Sequence, residues 1–172
     1  MELIFEQLPE TGPSEFINLD GIEYFQFEEE FMENNMRCIP MIIRFKMDMA
    51  GIKLKLSEWK KFSTEERIEL AFMNCGFNEG SEQYAGYLAG LIRKYTRRDP
   101  TSMEVNKVPT WKDLHSIPGI LIEKLKEIDW SLSITQWKRL TDLQRFALLK
   151  LCRPGHKNRN FQKAMKEFNL VN

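Results

Sequence analysis

Apolar residues along this chain switch between two periods. After Pro40 the side chains of Ile42, Ile43, Met47 and Ala50 recur at helical spacing, and a proline at the head of such a run suits a first helical turn, where its missing N–H costs nothing. The next residues, "GIKLKL", alternate strictly through Ile52, Leu54 and Leu56, which predicts a short extended segment. Helical spacing then resumes. Ser57 is placed to cap a short helix carrying Trp59, and the run from Ser63 to Glu66 has the spacing of a capping box, in which a hydroxyl accepts an orphan N–H while the glutamate reaches back to the cap. A longer helix follows with Ile68, Leu70, Ala71 and Phe72 on its apolar stripe, and "EQYAGYLAGLIRKY" supplies one more.

The same succession then occurs a second time. An offset of 78 positions carries Trp59 onto Trp137 and, without a gap, Ile39-Pro40 onto Ile117-Pro118. Over 39–72 against 117–150 nine pairs are identical, among them Lys46/Lys124, Leu54/Leu132, Arg67/Arg145 and Leu70/Leu148. Shared composition alone gives roughly two. Thr135 takes the place of Ser57, Thr141 and Gln144 take the places of Ser63 and Glu66, and "DWSLSI" repeats the alternation through Trp130, Leu132 and Ile134. With one residue deleted, Tyr84, Leu88 and Leu91 fall opposite Phe161, Met165 and Phe168.

The predicted fold class is all-α, mainly helical with short extended segments: two helix–extended–helix units related by a pseudo-two-fold, pairing their short strands and sharing one core. The expected organisation is a single domain over 1–172, with an N-terminal arm (1–24) on the surface, a first half (25–96), a polar, proline-containing connector (97–110) and a second half (111–172). The paired extended segments resemble paired calcium loops in arrangement only, because "GIKLKLSE" lacks the length and alternating carboxylates that calcium requires.

Composition changes this picture in one respect. Of 172 residues, 42% are hydrophobic, enough for one substantial core, while 25 Lys and Arg balance 25 Asp and Glu. A chain with no net charge has no whole-molecule attraction for nucleic acid or anionic lipid, so neither is an expected partner and any charge-based function is local. No apolar run nears the roughly 20 residues of a membrane span, and Glu2 and Glu6 stand where a secretory signal carries basic residues, so the expected location is cytoplasmic. Cys38, Cys75 and Cys152 are odd in number, far apart and outside any CxxC pair, and are expected to be reduced thiols in core space with no metal.

Candidate chemistry is correspondingly sparse. Trp59 and Trp137 suit core anchoring better than a clamp on a planar ligand, Arg67 and Arg145 suit structural pairing better than anion binding, and His115 reads as a surface or capping residue. No Gly-rich phosphate loop, paired-carboxylate set or nucleophile–base order stands out, so no catalytic residues are assigned and no enzyme is expected. Two basic stretches follow predicted helices, where cations suit the negative end of the macrodipole: "RKYTRR", and "RPGHKNRNF" with Pro154 and Gly155 forcing a turn. The second displays Arg153, His156, Asn158 and Arg159 together, a set suited to an acidic partner or a phosphate-bearing group.

The blocks "YFQFEEEF", "RCIPMIIRFKMDMAGIKLKLSEW", "EWKKFSTEER", "ITQWKRLTDLQRFALLKL" and "RPGHKNRNF…KEF" resemble the nitrate-reductase-associated protein family of cyanobacteria and other bacteria, in order and across nearly everything from Tyr24 to Leu170. The resemblance implies a small cytoplasmic, non-catalytic accessory factor needed for active assimilatory nitrate reductase or another molybdoenzyme. It would act by protein–protein contact in installing the molybdenum cofactor or iron–sulfur cluster, with no cofactor of its own. The competing reading is a small helical ligand- or metal-binding protein using Cys38, Cys75, Cys152 and the histidines.

Overall fold

A computed structural model describes residues 16–17, 19–28, 38–77, 79–153 and 159–172. The protein is mainly helical. In chain order the described elements are α1 (Met41–Ala50), β1 (Ile52–Lys53), α2 (Leu56–Trp59), α3 (Thr64–Phe72), α4 (Ser81–Thr96), β2 (Thr101–Ser102), a 3-10 turn (Thr110–Lys112), α5 (Gly119–Glu127), α6 (Ile134–Arg139), α7 (Asp142–Leu151) and α8 (Arg159–Glu167).

Local features recur at the 78-residue offset, which becomes 77 after the one-residue deletion. Pro40 and Pro118 are the N-caps of α1 and α5. Ser63 and Thr141 cap α3 and α7, each hydroxyl accepting the N–H three residues on and each cap N–H donating to the Glu66 or Gln144 side chain at 2.9 Å. Side chains at equivalent positions are buried alike: Ile43 and Leu121, Trp59 and Trp137, Leu70 and Leu148, then Tyr84 and Phe161, and Leu88 and Met165. The caps of the two tryptophan helices lie two residues earlier than Ser57 and Thr135, at Lys55 and Ser133, with the Lys55 N–H donating to Glu58 and the Ser133 N–H to Gln136.

The extended segments depart from the expected pairing. Only the first forms a strand, and β1 runs antiparallel to β2 of the connector, Ile52 opposite Ser102 and Lys53 opposite Thr101, rather than to the second segment. Gly51, at φ 71°, ends α1 and frees the chain to extend, and its carbonyl accepts the Met103 N–H at 2.9 Å. After α5 the chain instead closes a Schellman turn through Asp129 at φ 55°, with the Trp130 N–H donating to the Leu125 carbonyl and the Asp129 N–H to that of Lys126. That turn leaves residues 130–133 outside any strand.

The buried apolar side chains form two clusters. One surrounds Trp59, with Ile43, Leu70, Tyr84, Leu88 and Ile92; the other surrounds Trp137, with Leu121, Phe146, Leu148, Phe161 and Met165. Ile42, Phe45 and Phe77 pack against both and join them, and Phe45 meets Phe146 edge-on with ring centroids 5.2 Å apart. Phe25, Phe27 and Met41 belong to the Trp137 cluster although they precede the first unit's strand. The arm does not lie wholly on the surface: Phe16 is 1% exposed and stacks on Trp59, because a phenyl ring gains more by covering the indole than by facing water. No described helix is long and apolar enough to cross a membrane.

Candidate functional site

Among the described residues, the buried charged side chains are engaged within the fold. Arg67 lies with its guanidinium 5.8 Å from the Trp59 ring, donating to the Phe62 carbonyl at 2.5 Å and to the Thr64 hydroxyl at 3.2 Å. Arg145 repeats this 78 positions on: 5.8 Å from the Trp137 ring, it donates to the Leu140 carbonyl at 2.6 Å and to the Trp111 carbonyl at 2.7 Å, and pairs with Asp142. Both forks tie the end of a tryptophan helix to the start of the next helix through different nitrogens of one planar group, a spread of donors that the single nitrogen of an ammonium lacks. Lys46 closes the end of α3 through the Ala71 and Met73 carbonyls, and burial pulls its amine down to about 8. Lys124 pairs with Glu127 at 2.9 Å.

Among the described residues Glu28 is the buried acid. Pro40 offers α1 no side-chain cap, and the Glu28 carboxylate fills that role from a distance, accepting the Met41 N–H at 2.6 Å and the Phe25 N–H at 3.3 Å. Burial pushes its carboxyl up to about 7, against the opposing pull of those two N–H donors and Arg44. Glu167 of α8 accepts the Gln26 and Phe27 N–H groups at 2.7 and 3.0 Å, so two carboxylates pin residues 25–28 to the body. Glu28 lies within the "EEE" run, where nothing in the sequence separates it from its neighbours.

None of the three cysteines is in a disulfide; Cys75 and Cys152 are buried and Cys38 is half-buried. Burial raises the thiols of Cys38 and Cys75 to about 11 and that of Cys152 to about 12, so near neutrality all three are thiols rather than nucleophilic thiolates. Among the described residues no three His, Cys, Asp or Glu side chains gather as a cation site. Both Trp59 and Trp137 are sealed at 0% exposure, so neither faces a ligand. His115 is exposed in a turn, its N–H donating to Asp113.

Of the first basic stretch, Arg93 and Lys94 in the last turn of α4 pair with Asp99 at 2.8 Å and Glu66 at 2.6 Å, while Arg97 and Arg98 beyond it are exposed. The second stretch differs. Arg153 follows α7 and Arg159 opens α8; both are exposed, and among the described residues neither meets a carboxylate. Pro154, Gly155, His156 and Asn158 lie outside the described residues. The helices on either side are firmly seated: α7 buries Leu143, Phe146, Ala147 and Leu148, α8 buries Phe161, Ala164 and Met165, and Lys150 holds Asp48 of α1 at 2.8 Å. Two arginines are thus displayed from anchored helix ends.

A second surface feature went unread in the sequence. The end of α1, the first turns of α4 and the connector enclose an open cleft of about 450 Å³ lined by Met49, Phe77, Ala85, Val105, Lys107 and Lys112, among others. Lysines flanking Pro109 in a polar connector carry no signal of this, because the cleft is made where the connector lies against α1 and α4.

A family model described as conserved nitrate reductase-associated protein matches residues 24–168. The chain belongs to this nitrate reductase-associated family. The match runs from just before the Glu28 clamp to the last buried phenylalanine, so both arginine–tryptophan pairs, the cleft, the Arg153–Arg159 segment and all of the two clusters except Phe16 and Leu170 fall inside it. No curated protein and no solved structure matches the chain.

Proposed function

We propose that this member of the nitrate reductase-associated family is a non-catalytic accessory factor needed for active assimilatory nitrate reductase, acting by protein–protein contact while the enzyme's molybdenum cofactor or iron–sulfur cluster is installed. The observation that carries this reading is the family match over residues 24–168. Its non-catalytic character is supported by the way Arg67, Arg145, Lys46, Lys124 and Glu28 are engaged in capping and bridging the fold, and by thiols held protonated.

In this reading the contact surface includes Arg153, His156, Asn158 and Arg159, with nitrate reductase or another molybdoenzyme supplying carboxylates to the arginine forks. The factor works in the cytoplasm beside that enzyme. Its chain acts as one domain in which the two units, related by a pseudo-two-fold, give the exposed segment a stiff base; the recurrence of caps and arginine–tryptophan pairs supports this. The test is affinity capture from nitrate-grown cells with the tagged full chain. Enrichment of the nitrate reductase polypeptide over an untagged control is expected, and its absence under cross-linking contradicts the proposed contact.

A further inference from the structure

The cleft beside the connector has a wall anchored at both ends. At one end the connector is held by the β1–β2 ladder and by the Met103 N–H on the Gly51 carbonyl. It presses so closely on Gly51 that a Cβ there would lie 2.9 Å from a Val105 methyl and 3.1 Å from the Met103 carbonyl. At the other end Pro109 and Trp111 are buried, with Trp111 stacked on Phe77. Anchored at both ends, the wall between them has few conformations to lose, which lowers the cost of ordering it around an incoming segment.

The lining is chemically divided. Met49, Phe77, Ala85 and Val105 are apolar, while Lys107 and Lys112 face a single acid, Glu82. Among the described residues neither lysine meets a carboxylate; the Lys112 ammonium rests 4.5 Å from the centre of the Phe77 ring. Beside Lys107 stands Val108, at 84% exposure the most exposed large apolar side chain described. Apolar floor, surplus positive charge and a protruding valine together suit one kind of occupant.

We propose that this cleft docks an acidic peptide segment of a partner protein, a large apolar side chain entering over Met49, Phe77 and Ala85 while carboxylates one or two residues away meet Lys107 and Lys112. Val108 packs against the segment as it leaves. Arg153 and Arg159 are not among the lining residues, and the assignment does not depend on nitrate reductase being the partner.

The test is an NMR titration of the full isotope-labelled chain with a blocked heptapeptide carrying a central leucine flanked by glutamates, beside a control peptide with lysines in their place. Saturable shifts of the Phe77, Ala85 and Val105 amides are expected with the acidic peptide alone. Lys107→Glu combined with Lys112→Glu should weaken binding by at least about tenfold. Because Lys112 packs on Phe77, Lys107→Glu alone is titrated as well, with thermal unfolding of both variants; a weakening of about threefold or more is expected from the single change. No saturable shift at those amides, equal shifts with the basic peptide, or affinity untouched by charge reversal would overturn the assignment. So would hexanoate producing the same shifts where the peptide produces none, which would make the cleft a small-carboxylate site.

Discussion

Arg145→Ala removes a guanidinium that satisfies two buried carbonyls at once. The Trp111 and Leu140 oxygens, receiving it at 2.7 and 2.6 Å, lose their donor in a region closed to water, and the Trp137 ring loses the cation 5.8 Å away. Hydrogen bonds from a charged donor contribute about 1.5–3 kcal/mol each, and part of that sum is returned because the mutant no longer buries a charge. The net loss expected is about 3–5 kcal/mol. With a urea slope of about 2 kcal/mol per molar, the unfolding midpoint should fall by roughly 1.5–2.5 M, followed by tryptophan fluorescence. Arg145→Lys keeps the charge but lacks the fork, reaches one carbonyl and should fall in between. Arg93→Ala is the control: its partner Asp99 is exposed, and the loss should stay under about 1 kcal/mol. If Arg145→Ala costs no more than Arg93→Ala, the arginine–tryptophan pairs do not hold the fold together.

Three further outcomes are expected. Glu28 has its pKa raised from 4.5 to about 7, so the folded state holds the proton more tightly than the unfolded chain; the stability this gives is full below about pH 4.5 and is lost as pH rises through about 7. Glu28→Gln should therefore flatten the fall in unfolding free energy across that window, up to about 3 kcal/mol in wild type, and an unchanged slope would count against a protonated Glu28. Ser63→Ala and Thr141→Ala should each cost about 1 kcal/mol in urea unfolding and add in the double variant, since the caps belong to different helices. Arg153→Ala with Arg159→Ala should change stability by less than about 0.5 kcal/mol per site while weakening capture of nitrate reductase more than tenfold; full capture would remove this segment from the contact surface.

What the sequence made legible was local and periodic. Prolines at helix starts and capping boxes each leave a pattern within four or five residues, and α1, α3, α5 and α7 begin where those patterns place them, whereas the two tryptophan helices have their caps two residues before those expected at Ser57 and Thr135. The burial of Arg67 and Arg145 shows why an arginine recurs with each tryptophan, though its paired carbonyls, five residues back and in the Trp111 turn, have no side-chain signature. The β1–β2 ladder was not legible because two-residue strands are too short for a period, and Thr101–Ser102 sits in a polar connector that reads as loop. Phe16 was misplaced for the opposite reason: one buried ring in a Pro- and Gly-rich arm makes no stripe. Of the candidate surface, Arg153 and Arg159 are exposed as their charge and position imply, whereas the cleft arises from contacts between α1, α4 and the connector that no single stretch records.

The accessory reading is tested most directly by nitrate reductase activity in a strain from which this gene has been deleted, assayed in extracts of nitrate-induced cells with the amount of enzyme polypeptide measured alongside. The account predicts a large loss of activity per enzyme polypeptide, restored by the wild-type gene supplied in trans. Full specific activity in the deletion strain would contradict it.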